Sequence, residues 1–145
     1  MMGNMRDSDR ALIDLLSANA RESAAALGRK LGIARTTVQE RIARLEREGV
    51  IQGYTVRLSD EASKNRIRAV VMIATDTKRS DRTTAELKKM SEVRTLAAVS
   101  GTYDLVATVE TETPARMDAV LDRIGNATGV ARTVSSIVLS EKFSR

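Results

Sequence analysis

The sequence predicts an α+β chain in two parts, a small helical N-terminal unit and a C-terminal unit of four strands and two helices. Three observations carry this. Between Ser8 and Arg47 apolar side chains recur at helical spacing in three short runs, broken at Asn19-Ala20 and at Gly32. From Ile67 onward β-branched runs alternate with two amphipathic stretches in the order β-α-β-β-α-β. Between them Leu58 to Asn65 (LSDEASKN) is polar and follows neither period. The division is therefore expected at residues 1–57, a joint at 58–65, and residues 66–145.

Met1 to Met5 are expected to fray. Ser8 and Asp9 offer the first helix start, and Leu12, Ile13, Leu15 and Leu16 give it one apolar side. Ser23 can cap the second helix, which runs to about Leu31, where Gly32 lets the backbone turn. The third helix carries Val38, Ile42 and Leu45 inward. Ala34 stands where its capping side chain belongs, so the start is expected to move inward to a capping box at Thr36 with Gln39 or Thr37 with Glu40. Gly49 stops this helix, and Val50 to Val56 reads as a strand or hairpin, a small wing. The first unit is thus a winged helix-turn-helix.

In the second unit Ile67 to Thr75 is a buried strand and Asp81 to Met90 a helix. Thr95 to Ser100 and Leu105 to Thr111 are strands around the turn Gly101-Thr102-Tyr103-Asp104. Pro114 opens a helix whose inner stripe is Met117, Val120, Leu121 and Ile124, and Gly129 precedes a last strand from Ala131 to Leu139. This is a ferredoxin-like βαββαβ layout, a four-stranded sheet with helices on one face. Strands this apolar in about 80 residues leave the other face in need of cover, which points to a second copy of the chain.

The chain has 145 residues and a net charge of +5. Residues 29 to 47 hold six bases against two acids, so much of the excess surrounds the third helix. The outer side of that helix fits the width and charge of a DNA major groove. There is no Cys and no His, which excludes disulfides, thiolate nucleophiles, imidazole acid-base work and the usual zinc sites. No metal or cofactor is implied, and an enzyme is not expected. The polar N-terminus (MRDSDR) is no signal peptide, and the longest apolar run, about Ala69 to Ala74, is far below the ~20 residues of a membrane span. No membrane partner is implied, and a cytoplasmic protein is expected.

The order and spacing of short motifs sharpen this reading. The first part carries Asp9-x-x-Leu12-Ile13-x-x-Leu16, Asn19-Ala20-Arg21-x-Ser23, Leu27-x-x-x-Leu31-Gly32-Ile33 and Val38-x-x-Arg41-Ile42-x-x-Leu45-Glu46-x-x-Gly49-Val50-Ile51-x-Gly53-Tyr54. The second carries Val99-Ser100-Gly101-Thr102-Tyr103-Asp104, Gly129-Val130 and Thr133-x-Ser135-x-Ile137-Val138-Leu139. Together these resemble the Lrp/AsnC, or feast/famine, family of bacterial and archaeal transcription regulators. The resemblance implies a DNA-binding helix-turn-helix and a ferredoxin-like domain that dimerises sheet to sheet. It also implies further assembly of dimers into tetramers or octamers, and an amino-acid effector in a cleft between dimers beside the Gly-x-Tyr-Asp turn. Ala34 departs from the usual Ser, and Arg35 from a common Pro.

For DNA, the candidate residues are Arg35, Thr36, Thr37, Gln39, Glu40 and Arg44, with Gln39 suited to adenine and Arg35 or Arg44 to guanine. Arg41 and Arg47 suit phosphates, and Arg41, bordering the apolar stripe, equally suits an ion pair with an acid of the first helix. For the effector, Gly101, Thr102, Tyr103 and Asp104 offer close backbone approach, free N–H groups for a carboxylate and a carboxylate for an ammonium. Thr133, Ser135 and Ser136 add hydroxyls. The alternatives are an ordinary hairpin turn at Asp104, an architectural DNA binder without ligand response, and a tetrapyrrole decarboxylase of related layout, which the absence of His disfavours. An RNA-binding sheet is disfavoured too, since only Tyr103 and Phe143 are available for stacking in this unit.

Overall fold

The computed structural model describes residues 6–143, so the fraying expected of Met1 to Met5 lies outside the described residues. Contacts divide the chain into Met1–Arg57 and Leu58–Arg145.

The first unit packs three helices, α1 (Asp7–Ala18), α2 (Ala24–Leu31) and α3 (Arg35–Arg47). Leu12, Leu16, Leu27, Val38 and Leu45 form its buried centre, with Ile13, Leu15, Leu31, Ile33, Ile42 and Ile51 against it. α2 begins as expected, the Ser23 hydroxyl accepting from the Ala26 N–H at 3.1 Å. It ends at Gly32, whose φ of +67° suits glycine. Gly28 is the tighter constraint. A Cβ there would lie 2.6 Å from the Ile33 carbonyl oxygen, so the turn between α2 and α3 lies directly on this glycine. α3 ends at Gly49, φ +71°, with the Val50 and Ile51 N–H groups both returning to the Leu45 carbonyl.

Two expectations fail in this unit. The wing is not a strand: residues 52–57 take no regular structure, because among its described residues the unit offers no strand to accept their backbone hydrogen bonds. Tyr54 instead donates its hydroxyl to Glu46 Oε1 at 2.8 Å, and that bond raises the phenol above its ordinary pKa. The start of α3 also does not move inward. The helix begins at Arg35 with Ala34 as an N-cap that makes no side-chain bond.

The second unit opens with a short helix α4 (Asp60–Ser63), capped by Ser59. It continues through β1 (Ile67–Thr75), a 3-10 turn at Thr77–Arg79, α5 (Ser80–Lys88), β2 (Val93–Ala98), β3 (Leu105–Thr111), α6 (Pro114–Gly125) and β4 (Val130–Ile137). The sheet order is β2-β3-β1-β4, all neighbours antiparallel, as the βαββαβ layout requires. Ala69, Val71, Ile73, Ala107 and Val109 alternate onto the helix side and are buried with Leu87, Met117, Val120 and Ile124. Val70, Met72, Ala74, Val106 and Val134 share the opposite face, which no described element of this unit covers.

Buried Thr83 closes the seam between α5 and β4. Its hydroxyl lies 2.6 Å from the Thr128 carbonyl and 3.1 Å from that of Arg79. Gly129, at φ +83°, comes so close that a Cβ would stand 2.6 Å from that same hydroxyl oxygen.

Ala34 and Ser23 share one backbone conformation, φ −66° and ψ 148°, yet only Ser23 caps its helix. Ala34→Ser therefore places a hydroxyl ready to accept the Thr37 N–H. It is expected to stabilise the first unit by about 1 kcal/mol, read as a rise of several degrees in its melting midpoint.

Candidate nucleic-acid interface and effector turn

At about 100° per residue, Val38 and Leu45 on one side of α3 place Thr36, Gln39, Glu40, Ala43 and Arg47 on the other. All five are exposed. Arg35 is exposed at the rim beside Glu46, and Thr37, Arg41 and Arg44 form the opposite flank, half-buried. Ala43, at the centre of the outward face, was missed by sequence reasoning that looked for polar readers. A methyl group there suits contact with a thymine methyl.

The flank corrects an expectation. The intramolecular ion pair with an acid of α1 belongs to Arg44, not Arg41. Arg44 Nη2 lies 2.8 Å from Asp9 Oδ1, and Nη1 lies 3.4 Å from Glu48 Oε2. The Asp9 hydrogen bond, before any other cause, holds the Arg44 guanidinium above its ordinary pKa. The two arginines share a flank, but Arg44 is three residues, about 4.5 Å, further along the axis, and Asp9 stands level with it. Arg44 is thereby tied within the protein, while Arg41 makes no ion pair among the described residues. Asp9, expected at a helix start, is buried inside the first turn instead.

In the second unit the turn Gly101 to Asp104 joins β2 to β3, and Gly101 has φ +115°. Asp104 is tied into the sheet from two sides: its N–H donates to the Ile73 carbonyl at 2.9 Å, and its carbonyl accepts from Val99. Its side chain caps the end of β1, Oδ2 accepting the Thr75 N–H at 2.7 Å, where the register with β4 slips. Oδ1 has no protein partner among the described residues. Tyr103 lies under the guanidinium of Arg132, 5.2 Å from ring centroid to Cζ, a cation–π contact. Arg132 is exposed on β4 opposite Ala74 and was not singled out from sequence. Nothing local marks it, because only the β1–β4 register brings it beside the turn.

The hydroxyls of β4 do not converge. Thr133 is registered with Ile73 and Ser135 with Val71 on the helix side, whereas Ser136 is registered with Val70 on the open side. Of the three only Thr133 is level with the turn. Strand alternation separates what sequence proximity grouped.

A cleft of about 210 Å³ lies at the other end of the sheet, lined by Arg66, Arg94 and Arg116 with Glu92, Glu110 and Glu112. Arg66 pairs with Glu110, and Arg123 reaches Glu92 at 3.3 Å. Its charges balance, so it selects neither sign of ligand. Among the described residues no cluster of side chains suits a metal ion, and no helix is long and apolar enough to cross a membrane.

Residues 5–46 match the AsnC-type helix-turn-helix domain, and residues 68–145 match the Lrp/AsnC ligand binding domain. The transcriptional regulator LrpA of Mycobacterium tuberculosis is 33% identical, across 95% of this chain and 92% of its own length. The transcriptional regulator FL11 of Pyrococcus furiosus is 29% identical, across 96% and 92%. The solved structure of a feast or famine regulatory protein from M. tuberculosis complexed with L-methionine superimposes with a TM-score of 0.83 at 33% identity, covering 97% of this chain and 95% of that one.

Removing the Asp104 carboxylate leaves the Thr75 N–H without its acceptor. Asp104→Ala is expected to lower stability by about 1–2 kcal/mol with no ligand present, read as a loss of a few degrees in the thermal midpoint.

Proposed function

The chain belongs to the Lrp/AsnC family of transcriptional regulators, and from that premise we propose that it is a sequence-specific, effector-responsive DNA-binding protein working as a homodimer or a larger assembly of dimers. The observation that carries the reading is the outward face of α3, polar with one alanine at its centre and arginines on both flanks, in a helix-turn-helix of the matched type. Thr36, Gln39, Glu40, Ala43 and Arg47 meet the groove, with Gln39 the adenine reader. Arg35, Thr37 and Arg41 on the flanks take phosphates. The chain acts as a regulator, not an enzyme, and works in the cytoplasm on double-stranded DNA.

Association uses the open sheet face, where Val70, Met72, Ala74, Val106 and Val134 form a patch that no described element of this unit covers. A two-fold axis through that patch presents a pair of recognition helices to a pseudo-palindrome.

The effector is an amino acid held at the turn. Asp104 Oδ1 faces its ammonium, and Arg132 its carboxylate, the two opposite-sign anchors a zwitterion requires. An L-methionine complex of the similar M. tuberculosis protein supports this class of ligand. The effector changes which assembly of dimers is favoured, and with it the spacing of DNA sites that can be gripped, by a typical ~1–3 kcal/mol of coupling.

Selection of bound duplexes from a random library is expected to return a pseudo-palindrome with half-sites about one helical turn apart, ~34–36 Å. A pool without consensus would instead make the chain an architectural DNA binder. A thermal-shift scan against the twenty amino acids is expected to give a clear hit, since ligand at ~100 times its Kd adds ~2.7 kcal/mol to the native state. The shift should vanish in Arg132→Ala, which leaves the Asp104–Thr75 bond intact; an unchanged shift would remove Arg132 from the site.

A further inference from the structure

The Asp9–Arg44 pair has a use beyond holding α1 to α3. Asp9 is 2% exposed, while the Arg44 side chain keeps 29% of its surface in solvent. The acid is thus a fixed internal anchor and the guanidinium a group at the border of the DNA-facing side. On α3 Arg44 shares its flank with Thr37 and Arg41 and neighbours exposed Glu40 and Arg47 around the helix. An arginine there has the reach and charge for a backbone phosphate. Its position is decided instead by Asp9 at 2.8 Å; Glu48, at 3.4 Å in solvent, holds it only weakly.

We propose that Asp9 withholds Arg44 from the DNA backbone and so sets the strength and salt dependence of duplex binding. Phosphate contacts strengthen binding to every sequence alike, whereas base contacts distinguish sequences. Holding one guanidinium inward lowers affinity for every duplex by the same factor and weakens its salt dependence, while the readers on the outward face are unchanged. Asp9 touches no DNA; it acts through Arg44. This inference rests on the DNA-binding reading above.

The test measures affinity for a fluorescent duplex of arbitrary sequence between 50 and 300 mM KCl, about the span over which phosphate contacts reveal themselves. The full-length wild type, Asp9→Asn and Asp9→Asn/Arg44→Met are compared. Asp9→Asn is expected to release Arg44 and steepen the slope of log K against log salt by about 0.9 for each bound chain, with tighter binding at 50 mM. The double variant removes both charges of the pair and so leaves no lone charge buried, and its slope should return to the wild-type value. That arm stands even where Asp9→Asn alone is poorly folded.

A double variant with a slope about 0.9 shallower than wild type would mean that Arg44 already contacts phosphate, and the proposal falls. A folded Asp9→Asn with an unchanged slope overturns it as well. Absence of any duplex binding by the wild type at 50 mM would overturn the DNA-binding reading itself, and this inference with it.

Discussion

The position of the reading helix depends on one missing side chain. Gly28 lies mid-helix, where glycine is unfavourable by roughly 1 kcal/mol against alanine. Its place is occupied by the Ile33 carbonyl, which also accompanies a hydrogen bond from the Ile33 N–H to the Gly28 carbonyl at 3.0 Å. Backbone thus packs on backbone, and the turn after Gly32 is held against α2 closely enough for Leu27, Val38 and Leu45 to meet. Any Cβ at 28 pushes the turn away, and with it the first residues of α3, those nearest the proposed groove contacts. The Asp9–Arg44 pair then fixes the far end of the same helix. One constraint is steric and the other electrostatic, and they act at opposite ends of a 13-residue rod.

The second unit shows a comparable economy. Its hydrophobic layer needs only alternation along β1 and β3, but its two ends need specific polar groups. At one end Asp104 stitches the β2–β3 turn to β1. Beside it the Asp76 N–H donates to the Gly129 carbonyl, and Thr83 joins α5 to the chain entering β4. Asp104 therefore has a structural task with one oxygen and a free lone-pair surface on the other. The turn is both hairpin and candidate site, and the two uses divide the same carboxylate.

Periodicity made most of the fold readable. Both amphipathic helices and all four strands of the second unit fall within about two residues of where apolar spacing places them, because burial of one face dominates their energetics. The readable site features were those written in local residue types: the basic α3, the Ser23 cap, the glycine at 101. What escaped reading depended on distant chain. The wing was expected as a strand because residues 50–56 have strand-like composition, but composition supplies no hydrogen-bonding partner. Arg132 beside Tyr103, Asp104 against Thr75 and Asp9 against Arg44 are separated by 29, 29 and 35 residues, and only register or helix packing joins them. Arg41 and Arg44 are indistinguishable by composition; a single turn of helix decides which one meets Asp9.

The alternation of β4 has a consequence for how a signal would travel. Arg132, Val134 and Ser136 lie on the open side of the strand, two residues and therefore about 7 Å apart. A ligand anchored at Arg132 would stand one pleat from Val134, at the margin of the proposed contact between chains. That span is shorter than the screening length in physiological salt, ~8 Å. Charge neutralised at the end of the strand would be felt directly by whatever packs on the face, with no hinge, lid or relay of side chains in between. The sheet would then be the wire as well as the wall, and sensing would require little internal motion of the subunit.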